Sequence, residues 1–540
     1  MNDTLISAAS ALSISAQHPS EKAEVHPPDS LVLLGDSDFV RRNEPQKTLT
    51  LPNLLVCPFL IKPYESGNFE FTPNFKPSSS SLFPAASGEL LNGTLRALQP
   101  ITGEESKVVY QATVVLNNQK IRCEPGDSVA LLCSNSSVDV DWLLKRIDLD
   151  PLTSEDQPFI LQPTLNKPIP AWLLPGIPTT ARQLLTHCCE LHVPVSRRII
   201  RLCAEFCSTD SRQATRLREL CSREYTELFD KYVRLQNVTL PDLLHLFPAC
   251  RLPLIRLLEV LPRLQPRPYT LISLHEGTMR TERETENQQL QFIFTRVDFG
   301  VERCEAGVGI SRYPHRTHGV CTGWLERIWP SNAGSPIQLY LRCNLNGFRL
   351  PADPEQPVIM IAAGTGLAPF ISFIRKLRSL GEAARTSGES PLWLIFGCRS
   401  PKSLLFLEEL TSSVRDKTLH RWCLCFSRHV EPSDSTTPYC LHTGVRYVQE
   451  CICSSMDESP LTEHQTALAV WILHRKARIM VCGEARAMAP AVREACATLL
   501  TKAMTKKFPL LCPTEPTLLS GSDYVEKMRQ DGRYIEDIWT

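Results

Sequence analysis

Gly364-Thr-Gly366 stands between an unbroken apolar run, Val358-Ile-Met-Ile-Ala-Ala363, and a stretch in which Phe370, Ile371, Phe373, Ile374 and Leu377 recur at helical spacing. An apolar run of that length is expected to be a strand buried on both faces. Strand, glycine turn and helix together make a cradle for a pyrophosphate. Glycine lets the backbone come close to the phosphates, and the free amides and dipole of a helix start favour negative charge. A single GxG turn is equally an ordinary strand–helix turn, so its meaning depends on what accompanies it.

What accompanies it is a chain of changing texture. After Pro351-Ala-Asp-Pro354, strands are expected at Val358, at Leu392-Trp-Leu-Ile-Phe396, at Trp422-Cys-Leu-Cys-Phe426 and at Arg478-Ile-Met-Val-Cys482, with helical stretches between them. That alternation is what a parallel, doubly wound α/β sheet requires. Upstream, strands are expected at Val108 to Leu116, Ser128 to Cys133, Tyr269 to Ser273 and Leu290 to Phe299. From about 180 to 262, amphipathic helices are set between these β regions. Residues 1–95 read as a largely disordered, linker-like region, with Ser and Pro recurring as in Pro77-Ser-Ser-Ser-Ser81.

Bulk composition excludes some partners. Among 540 residues, 58 basic side chains balance 58 acidic ones, which argues for neither nucleic acid nor a membrane surface. No apolar run is long enough to span a bilayer. The first residues carry an acid and no base, unlike a secretory signal. Twenty-one cysteines, an odd number scattered through core-like segments, point to reduced thiols and a cytoplasmic protein. The pairs Cys423/Cys425 and Cys451/Cys453 lack the spacing of a zinc site, so no metal is expected.

Several short motifs follow one another in a fixed order. They are Arg267-Pro-Tyr-Thr270, Gly319-Val-Cys-Thr322, Gly364-Thr-Gly-Leu-Ala-Pro-Phe370, Phe396-Gly-Cys-Arg399, Ser427-Arg428, Val481-Cys-Gly-Glu484 and the terminal Arg533-Tyr-Ile-Glu-Asp-Ile-Trp539. This series resembles the FAD- and NADPH-binding half of the diflavin reductases, of the ferredoxin–NADP reductase type. The resemblance covers about residue 100 to the C-terminus. It implies an antiparallel flavin-binding β-barrel over 96–352 with a helical insertion at about 180–262, then an α/β parallel-sheet nicotinamide domain over 353–540. Leu243-Leu-His-Leu-Phe-Pro-Ala-Cys250, Leu261 to Tyr269 and the ending Glu536-Asp-Ile-Trp-Thr540 look most like the branch of that family that delivers electrons to methionine synthase.

The resemblance also assigns roles. Arg267, a planar cation, Pro268 and Tyr269, an aromatic face, would hold FAD, with the hydroxyl of Thr270 near the reactive nitrogen of the flavin; serine is usual there. Gly319, Val320, Cys321 and Thr322 would hold the flavin pyrophosphate at a helix start. Gly364, Thr365 and Gly366 would cradle the pyrophosphate of NADPH, with Arg399 beside it. Ser427 and Arg428 occupy the place where an NAD enzyme carries an acid, and a hydroxyl with a guanidinium suits a 2′-phosphate. Tyr447, Val448 and Gln449, in Arg446-Tyr-Val-Gln449, fit a second contact to that phosphate and the adenine. Cys482 would lie beside the nicotinamide, with Glu484 nearby where aspartate is usual. Asp537 would orient or balance charge at hydride transfer, and Trp539 would stack on the flavin and move for nicotinamide to enter.

Two departures from the family pattern shape the functional expectation. After Arg399 the chain reads Ser-Pro-Lys-Ser-Leu-Leu-Phe406, without the acid and tyrosine that the family generally carries. No FMN-binding flavodoxin pattern precedes residue 100, although Gly35-Asp-Ser-Asp-Phe39 resembles the flavin-contacting loop late in such a domain. FMN is expected of the complete family, but no site for it is read here. The expected activity is NADPH-driven reduction of FAD, serving methionine synthase or a separate flavodoxin. A stand-alone NADPH diaphorase, or a non-catalytic partner that binds methionine synthase, are the alternatives.

Overall fold

The computed structural model describes residues 48–54, 57–64, 90–102, 107–117, 119–149, 154–164, 170–273 (without 171, 174 and 208–210), 288–299, 313–329 (without 316–317), 334–381 (without 345–346), 391–428, 440–505 (without 443–444 and 454–459) and 520–539. The Gly35–Phe39 motif lies outside these residues. Among the described residues no helix is long and apolar enough to cross a membrane.

The chain opens with a short strand, β1 (Phe59–Pro63), and then enters the barrel with β2 (Leu91–Pro100), β3 (Val109–Leu116) and β4 (Ser128–Leu131). A helical unit follows, made of α1 (Ser137–Arg146), β5 (Phe159–Pro163), α2 (Ala181–His187), α3 (Arg197–Glu205), α4 (Ser211–Cys221), α5 (Thr226–Phe229), α6 (Leu240–Leu246) and α7 (Leu254–Val260). The barrel resumes with β6 (Arg267–Thr270) and β7 (Gln289–Thr295), takes in α8 (Val320–Ile328) and ends with β8 (Ser335–Arg342). The nicotinamide unit is β9 (Val358–Ala363), α9 (Ala368–Leu380), β10 (Leu392–Cys398), α10 (Leu407–Arg415), β11 (Arg421–Phe426), β12 (Cys440–His442), α11 (Val448–Ile452), α12 (Glu463–Leu473), β13 (Arg478–Glu484), α13 (Met488–Thr505), α14 (Gly521–Gln530) and β14 (Tyr534–Trp539).

The barrel strands pair antiparallel in the order β6-β4-β8-β2-β3-β7, and a bridge between Leu271 and Phe292 brings the two edges together. A register shift between Leu95 and Ala97 bends β2 at one corner, as bulges do in barrels. Inward residues alternate along each strand: Leu95, Val114, Leu290, Phe292 and Leu339 fill the interior, and Trp324 and Leu325 of α8 close it. The expected antiparallel barrel, helical insertion and parallel sheet are all present.

The helical unit has its own core, and that core reaches further than helical periodicity indicates. Phe59 and Ile61 of β1 pack there with Phe159 and Leu161 of β5, against Val140 and Leu143 of α1. β1 lies inside the stretch read as linker. Five residues flanked by serine and proline carry too little pattern to be recognised; the burial of Phe59 and Ile61 against a distant strand holds them.

The nicotinamide sheet is parallel throughout, in the order β12-β11-β10-β9-β13-β14. Its central strands are buried on both faces, as the unbroken apolar runs require. One face (Ile359, Trp393, Cys423, Val481) packs on α11 to α14. The other (Met360, Leu394, Trp422, Met480) packs on α9 and α10 and is continuous with barrel residues Val109, Ile272, Ile293 and Phe348. A guanidinium fastens the same joint: Arg375 of α9 donates to both oxygens of Glu409, at 2.7 and 2.8 Å, and to the Ile272 carbonyl at 2.8 Å.

Candidate active site

The carboxyl ends of β9, β10, β11 and β13 open on a cavity of ≈ 750 Å³ whose opposite wall is the barrel, at Val109 and from Thr295 to Asp298. That volume is of the size that encloses a small organic ligand. The cavity stands where the strand order runs one way through β10 and β11 and the other way through β13 and β14, the usual ligand position in an open α/β sheet. Its lining brings together Gly364, Thr365, Arg399, Ser427, Tyr447, Val448, Gln449, Glu484 and Trp539. These came from six separate motifs.

The glycine turn has the form that a pyrophosphate needs. Gly364 has φ +55°, a left-handed conformation, and nothing lies within 4 Å of where a Cβ would project. Residues Gly364–Leu367 form a single 3₁₀ turn that feeds directly into α9, with Pro369 in its first turn. Open space above a backbone turn is a cradle that a side chain would fill.

Cations gather on the cavity wall, with Arg428 beside its lining. Lys107, from the barrel, has its ammonium pushed below the usual lysine range by burial and by the facing guanidiniums of Arg399 and Arg428, with Asp298 partly opposing. Burial and Arg428 likewise push Arg399 down. Three cations that repel one another across a cleft favour a multiply charged anion between them. Beside them Tyr447 is 43% exposed, and the Arg446 guanidinium lies over its ring at 5.6 Å while donating to the Ser427 carbonyl at 3.0 Å. A charged group, a hydroxyl and an open aromatic face fit a 2′-phosphoadenosine. Lys107 was not legible as a site residue, because nothing in a lone lysine ahead of β3 marks which domain it faces.

On the barrel side, Gly319 precedes α8 without a capping side chain, leaving the first amides of the helix available. A Cβ there would meet Thr322 Oγ1 and Val297 Cβ, both at 2.9 Å, so glycine is required for this close approach. A second cavity, of ≈ 440 Å³, opens over Gly319, Val320 and Gly323 and is flanked by His192, His315 and Arg327. Cys321 and Thr322 are buried beneath it. Tyr269 stacks on Phe292, with ring centres 5.1 Å apart and planes at 22°, while Pro268 of the same strand is exposed. Thr270 is half-buried where β6 pairs with β4 through Ser128. Arg267 is paired with Glu190, which raises its pKa against the effect of burial, and donates to the Gln265 carbonyl at 2.7 Å. A diphosphate at Arg267 therefore shares or displaces a carboxylate. The glycine-led helix start and the aromatic strand fit a flavin dinucleotide.

The expected hydride-transfer residues do not all face the cavity. Trp539 does, at the end of β14 and 44% exposed. Cys482 is 1% exposed in the layer between sheet and barrel, and burial pushes its thiol well above the ordinary range, so the sulfur keeps its proton. Asp537 is its register partner on β14. Burial raises the Asp537 carboxyl above its ordinary value, with Arg342 of the barrel pulling the other way. Glu484 faces the cavity, but its carboxylate accepts from the amides of Ala487 at 2.7 Å and Met488 at 3.3 Å, at the entry to α13. Those bonds lower its pKa and commit it to capping the helix.

Comparison with known proteins agrees with this geometry. Residues 96–298 match the family model "FAD binding domain", and residues 360–494 match "Oxidoreductase NAD-binding domain". The methionine synthase reductases of mouse and human are each 29% identical, over 82% of this chain and 60% of theirs. The nitric oxide synthase of Drosophila melanogaster is 32% identical over 67% of this chain and 24% of its own length. The relatives and the two matched domains support the diflavin reductase family. The chain has that family's FAD- and nicotinamide-binding domains and is an oxidoreductase by its domain content. It spans about 60% of the length of the mouse and human relatives.

Proposed function

We propose that this chain takes electrons from NADPH onto FAD in the cleft between barrel and sheet, and passes them on toward the reactivation of methionine synthase. The observation that carries the NADPH reading is the cation group of Lys107 and Arg399, which line the cavity with Trp539, and Arg428, which repels both from beside it. When bound, NADPH supplies a hydride and FAD the ring that accepts it. The residues of this chain do the rest. Ser427, Arg428 and Lys107 hold the 2′-phosphate, and Tyr447 with Arg446 orients the adenine. Gly364, Thr365 and Gly366 admit the pyrophosphate, with Arg399 beside it.

On the flavin side, Gly319 to Thr322 offer helix-start amides to a second pyrophosphate, and Tyr269 and Thr270 border the ring. Trp539, exposed on the cavity wall, would cover the flavin face and exclude water from it, and would have to be displaced for a nicotinamide ring. Cys482, a neutral buried thiol, would pack behind the reacting site, and its register partner Asp537 would supply the carboxyl that balances charge there. Acceptance by methionine synthase rests on the resemblance of 243–269 and of the C-terminal residues. A separate flavodoxin as carrier is the second form of the same reading.

The test is direct. The purified chain should release FAD on denaturation and reduce ferricyanide with NADPH in preference to NADH. Methionine synthase should be reactivated by the chain with an added flavodoxin. An intact fold that binds no flavin overturns the proposal and leaves a non-catalytic binding module.

A further inference from the structure

The cysteine pairs whose spacing argues against a zinc finger meet in space. Cys423 and Cys425 lie two apart on β11, so their side chains share one face of the sheet, the face covered by α11 and α12. Cys451 comes from α11 and His464 from the first turn of α12. The ligand atoms of Cys423, Cys451 and His464 all lie within 4.8 Å of one another. His464 Nε2 is 3.4 Å from Cys451 Sγ, and its Nδ1 is 3.9 Å from Cys423 Sγ. Cys425 adjoins this group on the same face of β11, though it is not one of the three whose ligand atoms lie that close together. All three cysteines are buried, and His464 is half-buried, at the outer edge.

We infer that Cys423, Cys425, Cys451 and His464 form a binding site for one zinc ion, on the side of the sheet behind the adenosine end of the cavity. Zinc bonds to sulfur at ~2.3 Å and to imidazole at ~2.0–2.1 Å, so a tetrahedral site has edges of about 3.5–3.8 Å. Among Cys423, Cys451 and His464 the separations come near those edges, and the Cys425 thiol, outside that group, must turn toward it to complete the tetrahedron. A turn of the imidazole about its Cβ–Cγ bond presents a single nitrogen to the metal. Three thiols and an imidazole, with no carboxylate, select zinc over magnesium or calcium. A set of four protein ligands leaves no open position, which makes the site structural rather than catalytic. Binding releases the thiol protons to solvent.

An independent observation supports a sulfur anion here. The indole N–H of Trp393 is buried without a hydrogen-bond partner, and the Trp393 ring meets His464 edge-on at 5.3 Å. A metal-bound sulfur would accept that orphaned N–H, as outer hydrogen bonds to ligands commonly do.

The position gives the ion a task. Cys425 is two residues before Ser427, and Cys451 is one helical turn beyond Tyr447. Zinc would pin β11, α11 and α12 together immediately behind the residues that meet the 2′-phosphoadenosine. The inference concerns this cluster alone, and it stands whether or not the cleft proves to prefer NADPH.

Metal analysis of the full chain, expressed with added zinc and dialysed against EDTA, should find about one zinc per chain. Cobalt in its place should give thiolate charge-transfer absorption in the near ultraviolet and tetrahedral bands in the visible. Cys423→Ser and His464→Ala should each fall below about a fifth of that metal content, with FAD still bound. Should those variants fail to fold, the cobalt spectrum of the parent decides, since thiolate charge-transfer absorption requires cysteine ligands and no variant. Zinc below about a tenth per chain with no cobalt spectrum, zinc retained in both variants, or a Cys423–Cys451 disulfide in the freshly purified protein would each overturn the inference.

Discussion

Gly366 lies against the main chain of Cys482: a Cβ built on it would stand 2.2 Å from the Cys482 carbonyl oxygen and 2.8 Å from the carbonyl carbon. The contact joins the phosphate turn after β9 to the end of β13, the two strands between which the sheet reverses direction. A backbone-on-backbone approach has no flexible side chain that could yield. The glycine thus fixes both the depth of the cradle and the position of the strand that carries Cys482 and Glu484.

Gly366→Ala should therefore damage the cleft more than its size suggests. Overpacking of this kind costs ~1–3 kcal/mol, and relief requires β9 and β13 to part. The expected result is a lower melting temperature together with a raised KM for NADPH, while FAD content stays near that of the parent. Gly364→Ala, with open space but a left-handed backbone, should lose less stability. Equal effects at the two positions would show that the Cys482 contact is not what makes Gly366 necessary.

Lys107 and Arg428 should act together on cofactor choice, although they come from different domains. Removing one charge-assisted contact costs ~1.5–3 kcal/mol, about a ten- to hundredfold rise in KM for NADPH. NADH should be affected little by either Lys107→Ala or Arg428→Ala. The two cations also repel, so each single variant relieves that repulsion and the double variant should lose more than the sum of the singles. Steady-state kinetics with both nucleotides decides. A Lys107→Ala protein that handles NADPH as the parent does would remove Lys107 from the site.

How much of this was readable in the chain follows from the kind of signal each residue carries. Strands buried on both faces announce themselves, so Val358–Ala363 and Leu392–Cys398 were evident, and the glycine turn between β9 and α9 followed from them. Lys107 was not evident, because its meaning depends on the barrel closing against the sheet, a contact no local pattern encodes. Glu484 was identified as a cavity residue, yet its commitment to the amides of Ala487 and Met488 needed coordinates. The nearness of Cys423 to Cys451 was not evident either. Zinc spacing rules describe knuckles, whereas Cys423 and Cys451 are brought together by sheet packing.

Asp537 makes a prediction with a definite sign. Burial raises its carboxyl above the ordinary 3.8 in the folded chain, so the folded protein holds that proton more tightly than the unfolded one. Its contribution to stability is present in full below the ordinary value and is lost as pH rises through the raised value. At neutral pH the ionised side chain therefore costs stability. Asp537→Asn should melt higher than the parent at pH 7, and the difference should vanish toward pH 4. The same change should slow NADPH-driven ferricyanide reduction if the carboxylate balances charge at the transfer site. A melting difference that ignores pH would mean that the effect is packing and not titration.

Trp539 is the sharpest test of the cleft as a whole. It ends β14, where its carbonyl accepts from Ala485 at 2.8 Å, and its ring is 44% exposed on the cavity wall. An aromatic ring of that size left so open contributes little to the fold, since burial is what makes such a side chain stabilising. Trp539→Ala should thus leave the melting temperature and the FAD content nearly unchanged. With the ring gone, nicotinamide entry no longer needs it displaced, and NADH gains more than NADPH because it lacks the 2′-phosphate that helps to drive displacement. The ratio of kcat/KM for NADPH over NADH should fall, and Trp539→Phe should restore part of it. The readout is the ratio, not the absolute rate, because product release can mask a change in either direction. If Trp539→Ala unfolds the protein or sheds its flavin, the ring is structural and the gate is refuted. If the ratio holds with FAD bound, the ring does not stand between the two cofactors.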